Sequence, residues 1–453
     1  MPNFRMFDRG TDFLLPPSIS EWVPERHLAR FVVDVVDKMD LERMNQRYRG
    51  SGSASYPPRM MVGLLVYGYA TGVFSSRKLE RATYESVPFR FITANQHPDH
   101  DTIAAFRRRF LKEIEALFVE VLELAREMGI LKMGKVALDG TKIHANASRH
   151  SALSYEHAGK IREQLKAEVA DLMAKAEAAD SESVVPDGMS IPEEIARREE
   201  RLRKIEEARA KIEERAKERH ERELAEYEAK LARRAAKAEE TGKKPGGKPP
   251  EPPKPGPGPK DQINLTDDQS RIMPVPGGGF DQCYNAQAAV ATGSMLVVAA
   301  DVVQAPNDKQ QVTPTLDKLD ALPATLGETG TLLADSGYFS EANVEACEKA
   351  GIEPLIAAGR QPHHPPLSER FAPTPEAPEN PTPVEAMRHR LSTPEGREVY
   401  ALRKQTPEPV FGIIKSVLGF RQFLLRGLEK VRGEWSLVTM AWNIKRMFAM
   451  APL

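Results

Sequence analysis

Two aspartates of the chain follow short apolar runs, where proteins often place groups that bind a ligand. Asp139 follows KVAL within KVALDGTKI, and Asp335 follows TLLA within TLLADSGYF. Runs this short predict buried strands, and ligands gather at strand ends in mixed sheets. If the two strands are neighbours, both carboxylates could reach one hard divalent cation such as Mg²⁺, which prefers oxygen ligands. The alternative for either residue alone is a structural one, because Asp commonly stabilises turns.

A third carboxylate, Glu408, stands at the predicted start of a helix in KQTPEPVFGIIKSVLGF. Thr406 is expected to cap this helix, and the prolines at 407 and 409 fit its first turn. Lys415 follows seven residues later, about 20° short of two full turns, so Glu408 and Lys415 share one helix face. The alternative is that Glu408 only complements the helix dipole.

The elements that must position these side chains form a mixed α/β pattern. Residues 1 to about 130 show apolar positions at helical spacing and predict an all-helical part. YNAQAAVATGSMLVVAADVV predicts a β-hairpin that turns at Thr292-Gly293-Ser294. The segments that follow alternate between helix and strand as far as IEPLIAA, which implies parallel pairing in a sheet flanked by helices. The chain is helical again from about Thr406.

A charged segment separates the two aspartates. Residues 151–262 contain a helical hairpin or coiled coil and a stretch with eight prolines between Pro245 and Pro259. Two heptad seams are expected in it: Ile195, Leu202, Ile205 and Ile212 in one, and Leu224, Tyr227 and Leu231 in the other. Since 196 residues separate Asp139 from Asp335, an insertion is needed to leave a core of ordinary size between them.

The amino-terminal part carries candidate contacts for nucleic acid. SSRKLERA could belong to a helix-turn-helix, and a plain helical bundle is an equal alternative. Arg77, Lys78 and Arg81 are its candidate DNA contacts. His97 and His100 flank Asp99 without partners at zinc-finger spacing, so a loop is predicted there.

Composition sets the outer limits on function. The 453 residues are 41% hydrophobic and 28% charged, which excludes collagen-like, fibrous and disordered classes. Two cysteines cannot form a disulfide framework, and the start of the sequence has no apolar leader region, so the cytoplasm is expected and a membrane span is not. The net charge of −1 hides a local excess: residues 388–450 hold 12 basic and 5 acidic residues. That segment could face phosphates.

The blocks around the three acids resemble the DDE transposases of bacterial insertion sequences. The resemblance rests on DGTKI, ADSGYF and YALRKQTPEPVFGIIK followed by GFRQFLLRG. PPRMMVGLLVYGY and HPDHDTIAAFRRRF also resemble the part that precedes the catalytic domain in this family. The family's signature of Tyr, Arg/Lys, Glu and Lys is matched by Tyr400, Arg403 or Lys404, Glu408 and Lys415. The last two have the family's spacing of six intervening residues, whereas Tyr400 and Arg403 lie one residue farther from Glu408 than is commonest.

The resemblance implies a ribonuclease-H-like catalytic core whose acidic triad is Asp139, Asp335 and Glu408. These carboxylates would bind two Mg²⁺ ions, for which Mn²⁺ could substitute, and would direct strand cleavage and strand transfer of an insertion sequence. Double-stranded DNA, as transposon ends and as target, is the implied partner, and a homo-oligomer on DNA is expected. The residues that would contact DNA in this core are Tyr400, Arg403, Lys404 and Lys415.

The resulting domain prediction has six segments: a helical DNA-binding domain at 1–130, the first part of the catalytic domain at 131–150, the insertion at 151–262, the second catalytic part at 263–360, a Pro-rich connection at 361–394, and carboxy-terminal catalytic helices at 395–453. Two alternatives stay open. One is a ribonuclease-H-like nuclease without strand transfer, and the other is a DNA-binding protein without catalysis. A scaffold built on the insertion would leave the carboxylates unexplained.

Overall fold

The computed structural model describes residues 18–48, 55–181, 190–242, 246–275, 277–359 and 376–451. The chain divides into two compact units. The first comprises Met1–Asn146 and Met273–Leu453, and the second comprises Ala147–Ile272.

The described part of residues 18–134 is helical, as predicted. α4 is buried along almost its whole length because it is apolar on every face. α7 and α8 break at Phe110 although neither Pro nor Gly stands there. The helices are α1 (Ile19–Trp22), α2 (Leu28–Asp37), α3 (Glu42–Asn45), α4 (Pro58–Ala70), α5 (Ser76–Glu85), α6 (Val87–Ile92), α7 (His100–Arg109) and α8 (Leu111–Glu127).

The loop predicted around His97 and His100 is confirmed only for His97. Asp99 caps α7 by accepting a hydrogen bond from the Thr102 backbone N–H at 2.7 Å, and His100 is the first residue of that helix. None of the described helices has the length and apolar character needed to cross a membrane.

A mixed sheet follows, which confirms the predicted α/β class and the hairpin at residues 292–294. β1 pairs antiparallel with β5 and parallel with β7, β7 pairs parallel with β8, and β6 pairs antiparallel with β5. The described strands of this sheet are β1 (Lys135–His144), β4 (Arg271–Pro274), β5 (Phe280–Ala291), β6 (Val297–Val303), β7 (Thr331–Ala334) and β8 (Glu353–Ile356).

Asp139 does not end its strand, contrary to the sequence prediction. β1 runs on through His144, and Asp139 lies opposite Ala288 of β5 near the middle of the ladder. The residues from Gly140 onward pair with Gln287 through Cys283. This distant partner extends β1 past an Asp-Gly pair that locally favours a turn.

Helices cover the sheet. α11 (Val312–Asp320) and α12 (Glu341–Lys349) lie between strands in the chain, as predicted. Trp435 and Trp442 of the last helix bury their rings and donate hydrogen bonds to the backbone carbonyls of Gln287 and Met295. The carboxy-terminal helices are α13 (Pro383–Ser392), α14 (Pro394–Gln405), α15 (Pro407–Gly412), a π-helical turn at Ile413–Val417 and α16 (Leu428–Met450).

Two local predictions in this region are wrong. The connection expected at 361–394 contains α13, which begins with a capping box formed by Thr382 and Glu385; residues 360–375 lie outside the described ranges. Thr406 does not cap α15 with its side chain. The backbone of Thr406 is not extended, and the Thr406 hydroxyl donates a hydrogen bond to the Leu402 carbonyl at 2.7 Å. As a result, α14 continues into α15 almost without a break.

The second unit is built on a helical hairpin. α9 (Tyr155–Ser181) and α10 (Ile191–Thr241) pack antiparallel beside a two-stranded ladder, β2 (Ala152–Ser154) with β3 (Gln262–Asn264). Ile205 and Ile212 of the first predicted seam are buried. The second seam is wrong for this chain, since Leu224 is 38% and Leu231 is 40% exposed.

Candidate active site

Asp139 lies in β1, and Asp335 directly follows β7, the strand that pairs parallel with β1. β1 and β7 pair Ala137 with Leu333. Continuing that register by two residues brings Asp139 level with Asp335, and a step of two keeps a side chain on the same face of a strand. The structure therefore brings together the two aspartates that the sequence placed in one site.

Each of these aspartates uses one carboxylate oxygen to accept a hydrogen bond from a nearby backbone N–H. Oδ1 of Asp139 accepts from Gly140 at 2.8 Å, and Oδ1 of Asp335 accepts from Gly337 at 2.8 Å. Asp335 thereby caps the short 3₁₀ turn Ser336–Tyr338. Neither Oδ2 atom accepts a hydrogen bond from a described residue, although Oδ2 of Asp139 forms a long ion pair with Arg403.

The environment of Asp139 disfavours its negative charge. The pKa of Asp139 is raised to about 7, mainly by burial and to a smaller extent by the nearby carboxylates of Asp335 and Asp308. The Gly140 N–H and the Arg403 guanidinium act in the opposite direction and lower this pKa. A cation bound beside Asp139 would offset both the burial and the repulsion.

Arg403 lies between Asp139 and Glu408. Its Nη1 is 3.9 Å from Oδ2 of Asp139, and its Nη2 is 3.3 Å from Oε1 of Glu408. The arginine side chain is only 11% exposed, whereas that of Glu408 is 52% exposed. Lys404, the other candidate for the basic signature position, is exposed. The structure thus brings Arg403 rather than Lys404 to the acids.

Tyr400 packs on the face of the sheet that carries the aspartates. It joins the apolar cluster around Ala137, Leu333 and Leu355, and burial raises its pKa. Its hydroxyl donates to the carbonyl of Ala334, the residue before Asp335, at 3.3 Å. Tyr400 is therefore engaged with the strand end itself.

Lys415 reaches the same face from the π-helical turn. Its Nζ donates to Oγ1 of Thr141 at 3.0 Å and to the carbonyl of Lys142 at 3.2 Å. Thr141 is two residues beyond Asp139 and so shares its face of β1. Burial lowers the pKa of Lys415. π-Helical turns are rare and often occur at functional sites.

The acids do not yet form a complete metal site. Among the described residues, no three or more His, Cys, Asp or Glu side chains are arranged to hold a metal ion as they stand. Glu408 is separated from Asp139 by the Arg403 guanidinium. The available oxygens nevertheless suit a hard cation, because the donors are carboxylates and two of them lie side by side on adjacent strands.

Sequence reasoning missed a polar group around Asp308. Asn285 and Gln287 of β5 donate to Oδ1 of Asp308 at 2.6 and 2.7 Å, and Lys142 lies 3.9 Å from the same oxygen. Burial lowers the pKa of Lys142. The sequence YNAQAAVA could have indicated this group, because two amide side chains at alternate positions interrupt an otherwise apolar strand.

The amino-terminal candidates lie on α5. Arg77, Lys78 and Arg81 are all exposed on this helix. On another part of α5, Glu80 accepts a hydrogen bond from His100, with Nδ1 at 2.8 Å. Binding of DNA by α5 stays a prediction.

Two segments of the chain match families of known proteins. Residues 17–109 match a transposase domain, DUF772, and residues 255–444 match a transposase DDE domain. Asp335 and Glu408 fall within the second segment, whereas Asp139 precedes it. No curated protein and no solved structure gives a significant match.

Proposed function

The chain belongs to the DDE transposases of insertion sequences, and from this we propose that it cleaves DNA at the ends of its element and joins the freed strands to a target. The observation that carries the proposal is that Asp139 in β1 comes level with Asp335, which directly follows the adjacent parallel strand β7, and that each has an oxygen that accepts no hydrogen bond from a described residue.

We assign the metal ligands to Asp139, Asp335 and Glu408. Two Mg²⁺ ions, or Mn²⁺ in their place, would supply Lewis-acid activation of the attacking oxygen and would stabilise the leaving oxygen. The protein contributes fixed carboxylates. Backbone N–H groups orient the carboxylates of Asp139 and Asp335, so these two ligands need little reorganisation, whereas Glu408 must move past the Arg403 guanidinium to join them.

The basic groups of the site are proposed to hold DNA phosphates. Arg403 presents a planar guanidinium that can donate two parallel hydrogen bonds to a phosphate, and Lys415 acts as a point charge. Tyr400 orients the strand end through Ala334. These contacts position the backbone and do not read bases. Sequence selection is assigned to the amino-terminal helices, through Arg77, Lys78 and Arg81 of α5.

The partners follow from the same reaction. The substrate is double-stranded DNA, as element ends and as target, and we propose that a homo-oligomer brings two ends together on the nucleoid in the cytoplasm. A nuclease without strand transfer shares the site but would leave ends unjoined. One observation favours a non-catalytic DNA-binding protein: Arg403 forms ion pairs with Asp139 and Glu408, the carboxylates that would otherwise bind the metal ions.

A plasmid assay tests the proposal. The element ends are identified by reading the DNA on both sides of the gene for matching inverted ends and a short direct duplication. Purified chain, DNA carrying these ends, a target plasmid and Mg²⁺ should yield cleaved ends and joined products. Asp335→Asn should abolish cleavage and retain end binding, whereas Asp320→Asn, an exposed control at the end of α11, should act as wild type.

The alternatives give different products. Cleavage without joining would indicate the nuclease, and binding without cleavage under any divalent ion would indicate the non-catalytic protein. Wild-type cleavage by Asp335→Asn would remove this residue from the triad.

A further inference from the structure

A buried polar network occupies the face of β1 opposite the aspartates. Gly140 pairs with Gln287 and Asp139 pairs with Ala288, so Gln287 lies on the face that Asp139 does not occupy. Gln287 is 3% exposed and Asn285 is fully buried. Both donate their side-chain amides to Oδ1 of Asp308. None of these three residues has a part in the proposed chemistry.

The network connects to Asp335 through Tyr338. The Tyr338 hydroxyl, buried with its ring, donates to Oε1 of Gln287 at 2.6 Å. Tyr338 is the last residue of the 3₁₀ turn that Asp335 caps. A continuous path of hydrogen bonds therefore runs from Asp308 through Gln287 to the turn that holds Asp335.

A second link fixes the same turn. Asn343 of α12 donates its side-chain amide to the Tyr338 carbonyl at 2.6 Å and to the Lys309 carbonyl at 2.7 Å. Lys309 follows Asp308 in the chain. The turn after Asp335 is thus attached to the loop at Asp308 at two points, once through Gln287 and once through Asn343.

Burying the amide side chains of Asn285 and Gln287 costs free energy that side chains with only a packing role would not require. Buried amides must find partners, and an apolar strand would avoid that requirement. Oδ1 of Asn285 has no hydrogen-bond partner among the described residues, so the network keeps one unsatisfied buried oxygen. Apolar side chains at positions 285 and 287 would avoid the cost of burying polar atoms. They could not accept a hydrogen bond from the Tyr338 hydroxyl, however.

We propose that Tyr338 and Gln287 are positioning residues for Asp335. They fix the 3₁₀ turn so that Oδ2 of Asp335 stays beside the Asp139 carboxylate, and they bind neither metal nor DNA themselves. The inference rests on the proposed function, because it takes Asp335 to be a metal ligand. Outer groups that orient a metal ligand commonly change metal affinity when they are removed.

Manganese binding by the full chain without DNA tests the inference. The probe is Mn²⁺ alone, titrated into each protein and followed by the electron paramagnetic resonance signal of the unbound ion. Tyr338→Phe keeps the ring and removes the hydroxyl, and it should weaken Mn²⁺ binding about 10-fold. Tyr69→Phe is the matched control, because it also removes a buried, hydrogen-bonded hydroxyl but from the helical region. It should bind Mn²⁺ as wild type does.

A second variant covers a folding failure. Asn343→Ala breaks the other link to the turn and should also weaken Mn²⁺ binding. Thermal melts identify any variant that is unfolded at the temperature of the titration. Binding by a folded Tyr338→Phe, or by Asn343→Ala if the first variant is unfolded, within about twofold of wild type would overturn the inference.

Asp335→Asn separates this result from failure of the proposed function. Loss of Mn²⁺ binding in Asp335→Asn together with unchanged binding in folded Tyr338→Phe refutes only the positioning role. Unchanged binding in Asp335→Asn, or absence of binding in the wild type, refutes the metal site itself, and the inference fails with it.

Discussion

Gly140 lies so close to Gln287 that a β-carbon on residue 140 would overlap the Gln287 amide nitrogen, and it would come within 2.7 Å of Oδ1 of Asp308. The glycine after Asp139 therefore leaves room for the buried network on the far face of β1. Its backbone conformation is one that any residue adopts, so the requirement is for space.

Gly140→Ala should destabilise the protein by about 1–3 kcal/mol, because the added methyl group must displace buried polar atoms. Chemical denaturation measures the loss. Gly293→Ala, in a turn where a β-carbon meets nothing within 4 Å, is the matched control and should be nearly neutral. Equal stability of both variants would show that the Gln287 and Asp308 side chains can move to make room for a methyl group without loss of stability.

Asp139→Asn should stabilise the metal-free protein at high pH. Because the pKa of Asp139 is raised from 3.8 to about 7 in the fold, the folded state holds its proton more tightly than the unfolded chain. The associated stability is present below about pH 4 and is lost as pH rises through about 7, by about 4 kcal/mol for a pKa shift of this size. Melting curves at pH 4 and pH 8 should show a gain for the variant only at pH 8. A gain that is the same at both pH values would contradict the shifted pKa.

Arg403→Gln should raise the pKa of Asp139 further. The guanidinium near Oδ2 lowers this pKa, so its removal leaves burial and the neighbouring carboxylates unopposed. Carbon-13 NMR of labelled aspartate carboxyl groups follows the titration directly. Lys404→Gln, which neutralises an exposed neighbour, should leave it unchanged. Identical titrations in the two variants would exclude a specific effect of Arg403.

Lys415→Ala should weaken DNA binding and reduce its dependence on salt. Each phosphate contact adds close to one unit to the slope of log affinity against log salt concentration, so a lost contact should lower the slope by about one. Binding to duplex DNA across a salt series measures the slope. Lys349→Ala removes an exposed charge at the end of α12, outside the basic segment 388–450, and serves as control. An unchanged slope would mean that Lys415 does not contact a phosphate and only donates hydrogen bonds to Thr141 and the backbone of β1.

Glu434→Leu should be among the most destabilising changes in the helical part. Glu434 is fully buried, and it accepts hydrogen bonds from the Tyr69 hydroxyl and from the backbone N–H groups of Leu424 and Leu425. Its loss also removes the nearby negative charge that offsets the buried guanidinium of Arg107, and we expect a cost of about 3–5 kcal/mol. Urea unfolding measures the loss. Glu429→Leu on the exposed face of the same helix should stay within about 0.5 kcal/mol of wild type.

Local sequence determined much of the fold. The short apolar runs before Asp139 and Asp335 form buried strands, as predicted, because they are too short to form a helix. The alternation of strand and helix after residue 297 required parallel pairing. The three acids and Lys415 could also be identified from the sequence, because each lies in a signature block that is contiguous in the chain.

Tertiary structure alone decided how these side chains meet. Asp139 lies inside its strand because β5, more than 130 residues later in the chain, continues the ladder past an Asp-Gly pair. Arg403 rather than Lys404 faces the acids because Thr406 joins α14 to α15 almost without a break and so fixes the helical phase. The Asp308 network draws on three separate segments, and no local pattern specifies a hydrogen bond between Tyr338 and Gln287. Such contacts depend on strand register and helix phase, which the whole packed chain sets together.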